Sequence, residues 1–378
     1  MYNILCCFGT RPEIIKMAPL IHIMQKEPEI HFTTLSLDQH QEMLDQMLHI
    51  FEITPNHRLS LMQPNQSLTE LSASMPQPLA NIINQVNPHL ILGQGDTAAV
   101  FQTSLAAFHH KIPFGHVEAG LRSHNPLSPY PEEIYRQLIS RLATLHFAPT
   151  PLAKQNLINE GIEPQHISIV GNPVIDALFH ILAQKPHLPP EVDHNKQLIL
   201  VTLHRRENWH SLIPLCQTLR TLADNNPYTQ FLLPIHPNPN VSAPIQQALR
   251  NHPQITLTPP LPYNTFVATM QHATLILSDS GGIQEEAPAL GTPVLILRNE
   301  TERQEAVTLN LNRLIGTDPD SVYQHVHALL NSPEELTSMI QNYSPYGDGQ
   351  SAEKITQHCK QFLCKMNARK AVLTPYAR

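Results

Sequence analysis

The stretch "LSDSGGIQEEAPALGTPVLIL", residues 277–297, opens as an apolar strand, breaks into Ser-Gly-Gly and places two adjacent carboxylates where a helix begins. Ser280, Gly281 and Gly282 expose backbone N–H groups at the N-terminus of a helix expected over about 282–290. Such a terminus binds phosphate through its unpaired donors and the helix dipole. A carboxylate one turn deeper, Glu285 or Glu286, lies at the distance of a ribose, whose two hydroxyls it can accept. Anion donors with a carboxylate nearby describe a nucleotide rather than phosphate alone. The competing reading is structural: carboxylates in a first turn simply complement the dipole.

Outward from this unit, short apolar runs alternate with longer helical patterns from end to end, the signature of parallel βαβ units. "YNILCCFG", "HFTTLSL", "HLILGQG", "PFGHVEAG", "LHFAPT" and "HISIVG" read as the strands of one doubly wound half. "LILVTLH", "FLLPIH", "ITLTPPL", "ATLILSDS", "PVLILR" and "NRLIG" read as those of a second. Between them "KPHLPPEVDHNKQ" (185–197) has the composition of a linker. The expected organisation is an α/β protein of two Rossmann-like doubly wound domains, 1–184 and 185–350, facing a cleft, with a helix over 351–378 packing back on the first.

Composition narrows the classes of function. The 378 residues carry 24 Lys+Arg against 31 Asp+Glu, a formal net charge of -7, with no basic block to neutralise phosphates, so nucleic acid is not expected as a partner. No apolar run approaches ~20 residues and the N-terminus has no basic leader, which points to a cytoplasmic chain with no membrane partner. Five cysteines without ligand spacing argue against a metal site and for buried or inert thiols. Most of the 23 histidines sit singly among unrelated neighbours and are expected to be surface or core residues.

Motifs at strand ends carry the chemistry. "FGTRPE" (8–13) supplies a glycine turn, a capping Thr10, Pro12 at the first helical position and the cation Arg11. It is not G-x-G-x-x-G, so no dinucleotide cofactor is signalled. "GQGDT" (93–97) places Asp96 at a helix start, "HVEAGLRS" (116–123) ends a strand in Glu118, and "PLSPYPEEIYRQL" puts Glu132 and Glu133 in a first helical turn. Each acid has a structural excuse as cap or dipole partner. Together Asp96, Glu118 and Glu132 form a pool from which base and acid partners can be drawn. In the second half "VTLHRREN" (201–208) ends a strand in His204, Arg205 and Arg206, and "LPIHPNPN" (233–240) places His236 after the next.

In order along the chain, "FGTRPEIIKMAPL", "QHQEMLDQ", "GDT", "HVEAGLRS", "PEE", "HRRE", "DSGGIQEEAPALGTPVLILR", "TER" and "PYGDGQSA" resemble the non-hydrolysing UDP-N-acetylglucosamine 2-epimerases. The resemblance implies a glycosyltransferase-B-like fold, a homodimer and reversible interconversion of UDP-GlcNAc and UDP-ManNAc without a cofactor. Carried over by motif, Arg11 and Lys16 lie at the nucleotide sugar, and Asp96, Glu118, Glu132 and His204 form the catalytic set. Ser280 and Gly281 hold the diphosphate, Glu286 the ribose, Phe266 the uracil, and Arg303 falls at the nucleotide; Gly282 and His236 join them by position.

Gln39, His40, Gln66 and Arg205 match a second, activating sugar-nucleotide site of regulated relatives. Gln41, Glu42 and Asn65 depart from that pattern, which argues against activation here. Gln304 stands where proline is usual and Leu203 where glycine is usual, the latter stiffening the loop that bears His204. Rival readings are a hydrolysing epimerase, a glycosyltransferase of the same fold and a non-catalytic sensor. The retained acids weigh against the last two.

Overall fold

The computed structural model describes residues 1–38, 41–62, 66–341 and 343–373. The chain divides into two compact units: Met1–Ala177 together with the chain from Tyr346 onward, and Leu178–Pro345. Each is a doubly wound parallel α/β unit, the class that the alternation of strands and helices predicts.

In the first unit the strands are β1 (Tyr2–Phe8), β2 (Ile30–Ser36), β3 (His57–Arg58), β4 (Leu90–Gln94), β5 (Phe114–Val117), β6 (Leu145–Ala148) and β7 (Ile167–Ile169). They pair in the order β3-β2-β1-β4-β5-β6-β7, every pair parallel. The buried run of β4, with all five residues inside, is what a strand covered by helices on both faces requires. Leu5, Leu35, Ile91 and Phe114 from the sheet pack with Leu79, Ile83 and Ala107 from helices on one side. β3 has only two residues and no apolar side chain, so the alternation of apolar runs does not reveal it.

The second unit has β8 (Gln197–Thr202), β9 (Thr229–Pro234), β10 (Ile255–Thr258), β11 (Leu275–Ser278), β12 (Val294–Ile296) and β13 (Asn312–Leu314), ordered β10-β9-β8-β11-β12-β13. Its core joins Ile199, Val201, Phe231, Leu277 and Leu295 to Leu215, Leu219 and Leu222 of the helix Leu212–Asn225. The proline-rich stretch before β8 is tied to β9 by Gln230, whose amide donates to the carbonyl of Glu191 (2.7 Å) and accepts from the N–H of Asp193 (2.8 Å).

The helix Ser351–Leu373 packs against the helix Arg11–Met24. Ile355, Cys359 and Leu363 recur every four residues and are all buried. Burying such side chains is worth about 1.5–3 kcal/mol each. The half-exposed pair Lys360–Glu27 (2.6 Å) is the kind of surface ion pair that adds little, so apolar packing holds this helix in place. Of the five cysteines, Cys6, Cys7, Cys216 and Cys359 are buried as expected, whereas Cys364 is exposed. No helix among the described residues is long and apolar enough to cross a membrane.

Candidate active site

Each sheet reverses its winding once, between β1 and β4 in the first unit and between β8 and β11 in the second. At such a switch point the loops leave in opposite directions and open a crevice at the carboxyl ends of the strands, the usual ligand position. The loops there are the ones that carry the sequence motifs: 9–13 and 95–97 in the first unit, 203–208 and 279–282 in the second.

After β1 the helix starts at Arg11, so Pro12 is its second residue rather than its first. Thr10 occupies the N-cap, but its hydroxyl makes no cap hydrogen bond; it helps hold the Glu13 carboxyl instead. After β4 the N-cap is Thr97, which accepts from the N–H of Val100 (3.3 Å). Asp96 is thereby released from capping, and one of its oxygens takes a hydrogen bond from Nε of Arg136 (2.7 Å). The carbonyl of the preceding Gly95 is bound to Nε2 of buried His116 (2.8 Å). Burial pushes the imidazole of His116 down to about 4, so it is neutral at pH 7.

Glu118 follows β5 with φ 66°, a left-handed conformation that costs a non-glycine residue on the order of 1–3 kcal/mol. It is buried, pairs with Lys16 and accepts from Nδ2 of Asn172 (2.7 Å). Asn172 is itself fixed, its N–H donating to the carbonyl of Tyr346 (2.6 Å). Of the pair opening the helix Glu132–Leu142, Glu133 is the structural one. Fully buried, it accepts from the N–H of Ser123 (2.9 Å), from Gln137 (3.0 Å) and from Arg136 (3.1 Å). Burial opposes its charge, but these donors outweigh it and hold the carboxyl below the usual range. Glu132 is half-buried beside it.

In the second unit a residue not singled out from the sequence organises the loop after β8. Asp279 is fully buried and accepts from the N–H groups of His204 (3.1 Å) and Arg205 (3.0 Å) and from Asn208 (3.2 Å). Its other oxygen lies 2.8 Å from Nδ1 of exposed His204. Desolvation opposes the charge of Asp279, yet the His204 ring and the N–H groups more than offset it and keep the carboxyl below its ordinary range. The Asp279 carboxylate fixes the ring through Nδ1, which leaves Nε2 as the nitrogen to meet a ligand. The His236 ring stacks on that of His204 at 6.3 Å, and burial with the neighbouring His204 lowers its basicity.

The helix after β11 runs Gly281–Ala289 with Ser280 at its N-cap, one residue earlier than the sequence indicates. Its two carboxylates do different things. Glu285 is fully buried and accepts from Nε of Arg303 (2.7 Å). Arg303 also pairs with Glu302, which reaches Arg298 (3.2 Å). A Cβ on Gly281 would come within 2.8 Å of Nη1 of Arg303, so the glycine admits the guanidinium to the helix terminus. Glu286 instead accepts from the Tyr263 hydroxyl (2.9 Å) and turns its other oxygen back towards Gly282. Phe266 lies half-buried on the same helix as Tyr263, Tyr263–His272. Arg298, also not singled out from the sequence, has a buried Nη1 without a hydrogen-bond partner among the described residues. Arg205 and Arg303 are close enough to repel its charge, so cations converge around this terminus.

Arg11, Lys16, Asp96, Glu118 and Glu132 thus belong to the first unit, and His204, His236, Phe266, Ser280, Gly281, Gly282, Glu286 and Arg303 to the second. Of the candidate second site, Gln66 and Arg205 are half-buried, one in each unit, while Gln39, His40 and Asn65 lie outside the described residues, as do the side chains of Gln41 and Glu42.

The sequence profile of UDP-N-acetylglucosamine 2-epimerases matches residues 22–360. The chain is 45% identical over 371 residues to a UDP-N-acetylglucosamine 2-epimerase of Salmonella typhimurium, covering 95% of this chain and 99% of that one. It is 44% identical over 369 residues to the enzyme of that name from Escherichia coli K12, covering 95% and 98%. Among solved structures, UDP-GlcNAc 2-epimerase from Neisseria meningitidis bound to UDP-GlcNAc aligns with a TM-score of 0.91 at 41% identity, over 95% of this chain and 100% of that one. The glycosyltransferase-B-like class expected from the motifs holds with it. The chain belongs to the UDP-N-acetylglucosamine 2-epimerase family.

Proposed function

We propose that this chain interconverts UDP-GlcNAc and UDP-ManNAc by the non-hydrolysing route, in the cytoplasm and as a homodimer, supplying ManNAc units for surface polysaccharide. The observation that carries the reading is Glu118, a buried acid in a strained backbone conformation, held by Lys16 and Asn172 at the strand end next to the Asp96 turn. Support comes from the relatives named for this activity and from the Neisseria structure, which holds UDP-GlcNAc.

The C2 proton of the sugar has no adjacent carbonyl and is barely acidic. Departure of UDP from C1 changes that, because the electron-poor C1 acidifies the C2–H bond as its own bond to oxygen breaks. A carboxylate takes the C2 proton, the C–H electrons form the C1=C2 bond of a glycal, and the C1–O pair leaves with the β-phosphate of UDP. Return delivers a proton to the other face of C2 while UDP re-adds at C1. Asp96, Glu118 and Glu132 are the acids from which base and proton donor are drawn, with His204 completing the set. The Ser280–Gly282 terminus and Arg303 stabilise the departing diphosphate, and Glu286 receives the ribose hydroxyls. The route consumes no NAD and ends where it began in oxidation state.

Proton NMR of the protein with UDP-GlcNAc in D2O, without acceptor or NAD, tests the reading. UDP-ManNAc carrying deuterium at C2 supports it. Free ManNAc with UDP identifies a hydrolysing enzyme, and an unchanged spectrum removes the epimerase reading. Glu286→Ala is expected to weaken UDP binding about tenfold by calorimetry, the loss of one charged hydrogen-bonded partner. An unchanged affinity returns Glu286 to the role of dipole partner.

A further inference from the structure

Glu13 is buried in the first turn of the helix Arg11–Met24 and belongs to none of the groups assigned above. One carboxyl oxygen accepts from the N–H of Gly9 (2.6 Å), in the turn that carries Arg11. The other accepts from the hydroxyl of Thr97 (2.7 Å), in the turn that carries Asp96. These turns leave β1 and β4, the two strands that flank the switch point of the first sheet. Gly9 lets them approach closely: a Cβ there would lie 3.2 Å from Cβ of Ala99, at the start of the helix after Asp96. Burying a carboxylate is expensive unless its acceptors are satisfied, and here both are satisfied by the two turns being joined.

We propose that Glu13 is a positioning residue whose side chain locks the turn carrying Arg11 to the turn carrying Asp96, so that both are presented to substrate as one rigid edge. The inference rests on the reading of Arg11 and Asp96 given above. The titratable groups that act on Glu13 are the thiols of Cys6 and Cys7 from β1 and Asp96 with its partner Arg136; its own helix also carries the cations Arg11 and Lys16, the latter paired with Glu118. Burial pushes both thiols well up, so they stay neutral through the working range. Burial, with Asp96 adding repulsion, raises the Glu13 carboxyl to about 7 against the lowering effect of its donors. Because the closed arrangement raises this pKa, it holds the protonated carboxyl more firmly than the ionised one. The lock is therefore fully set below about 7 and gives up part of its hold as the pH rises through that value.

The test compares wild type with Glu13→Ala in two measurements. The first is the pH profile of kcat for epimerisation between pH 5.5 and 9. The expected result is a wild-type limb that falls above about 7 and vanishes in the variant, with kcat at pH 6 at least tenfold lower and UDP affinity within threefold. A uniformly lower profile that keeps the limb marks Glu13 as merely structural and overturns the proposal, as does a variant equal to wild type. The second is amide hydrogen exchange of residues 8–13 and 94–98, which needs no turnover. Faster exchange of both segments in the variant at pH 6 supports the lock, and unchanged exchange overturns it. Wild type that exchanges as expected but does not epimerise sinks the functional reading alone.

Discussion

Asp96→Asn and Glu118→Gln are each expected to lower turnover by about 10²–10⁴-fold, the usual worth of a positioned acid or base, while leaving UDP affinity within about tenfold. Both substitutions keep the shape of the side chain and remove only its charge and proton chemistry. Asn at 96 can still accept from Arg136, and Gln at 118 can still face Asn172, so the loops keep anchors now 2.7 Å long. The UDP moiety is assigned to the other unit, on the Gly281–Ala289 helix, which these changes do not touch. Initial rates of UDP-ManNAc formation and calorimetric titration with UDP read the two quantities separately. If UDP affinity collapsed in both variants, the two acids would be nucleotide ligands and the proton chemistry would lie elsewhere.

Arg303→Met is expected to cost the second unit about 3–5 kcal/mol, the usual cost of removing one partner of a buried ion pair, here the pair with Glu285. Glu302 suffers less, since Arg298 remains 3.2 Å away. The single tryptophan, Trp209, packs against the core of that unit, so urea unfolding followed by its fluorescence reports on the right part of the chain. Adding Glu285→Leu to Arg303→Met removes the other half of that pair and is expected to recover most of the loss. A cost below about 1 kcal/mol, typical of an exposed pair, would show that the terminus does not depend on this network. UDP binding is expected to fail in both variants, since the double change restores stability without restoring the cation beside Gly281.

The sheet strands were legible because parallel strands buried on both faces are continuous apolar runs, and β3 escaped because two polar residues make no run. Turn chemistry was less legible. Thr10 and Thr97 both precede helices, yet only Thr97 caps with its hydroxyl, accepting from Val100 while donating to Glu13. Pairings between distant segments were not legible at all. Asp279 and His204 are 75 residues apart, and nothing local in "DSGG" says that its acid turns back to orient a histidine rather than outward to a ligand. The sequence question of why two glutamates sit together has a similar answer. Glu285 belongs to Arg303, 18 residues on, and Glu286 to Tyr263, 23 residues back. Side-chain type and spacing announce that a site exists, whereas the division of labour within it is set by contacts closed only in the folded chain.

The chain leaves the first unit at Ala177 and re-enters it at Tyr346. During synthesis the first sheet therefore emerges long before the helix that covers Arg11–Met24, and the uninterrupted second unit is complete before the first. Until the last segment arrives, the N–H of Asn172 has no Tyr346 carbonyl to hold it, and Asn172 shares with Lys16 the task of steadying Glu118. A chain ending before Tyr346 thus owns every acid of the first sheet and lacks the contact that fixes Asn172 beside its strained glutamate.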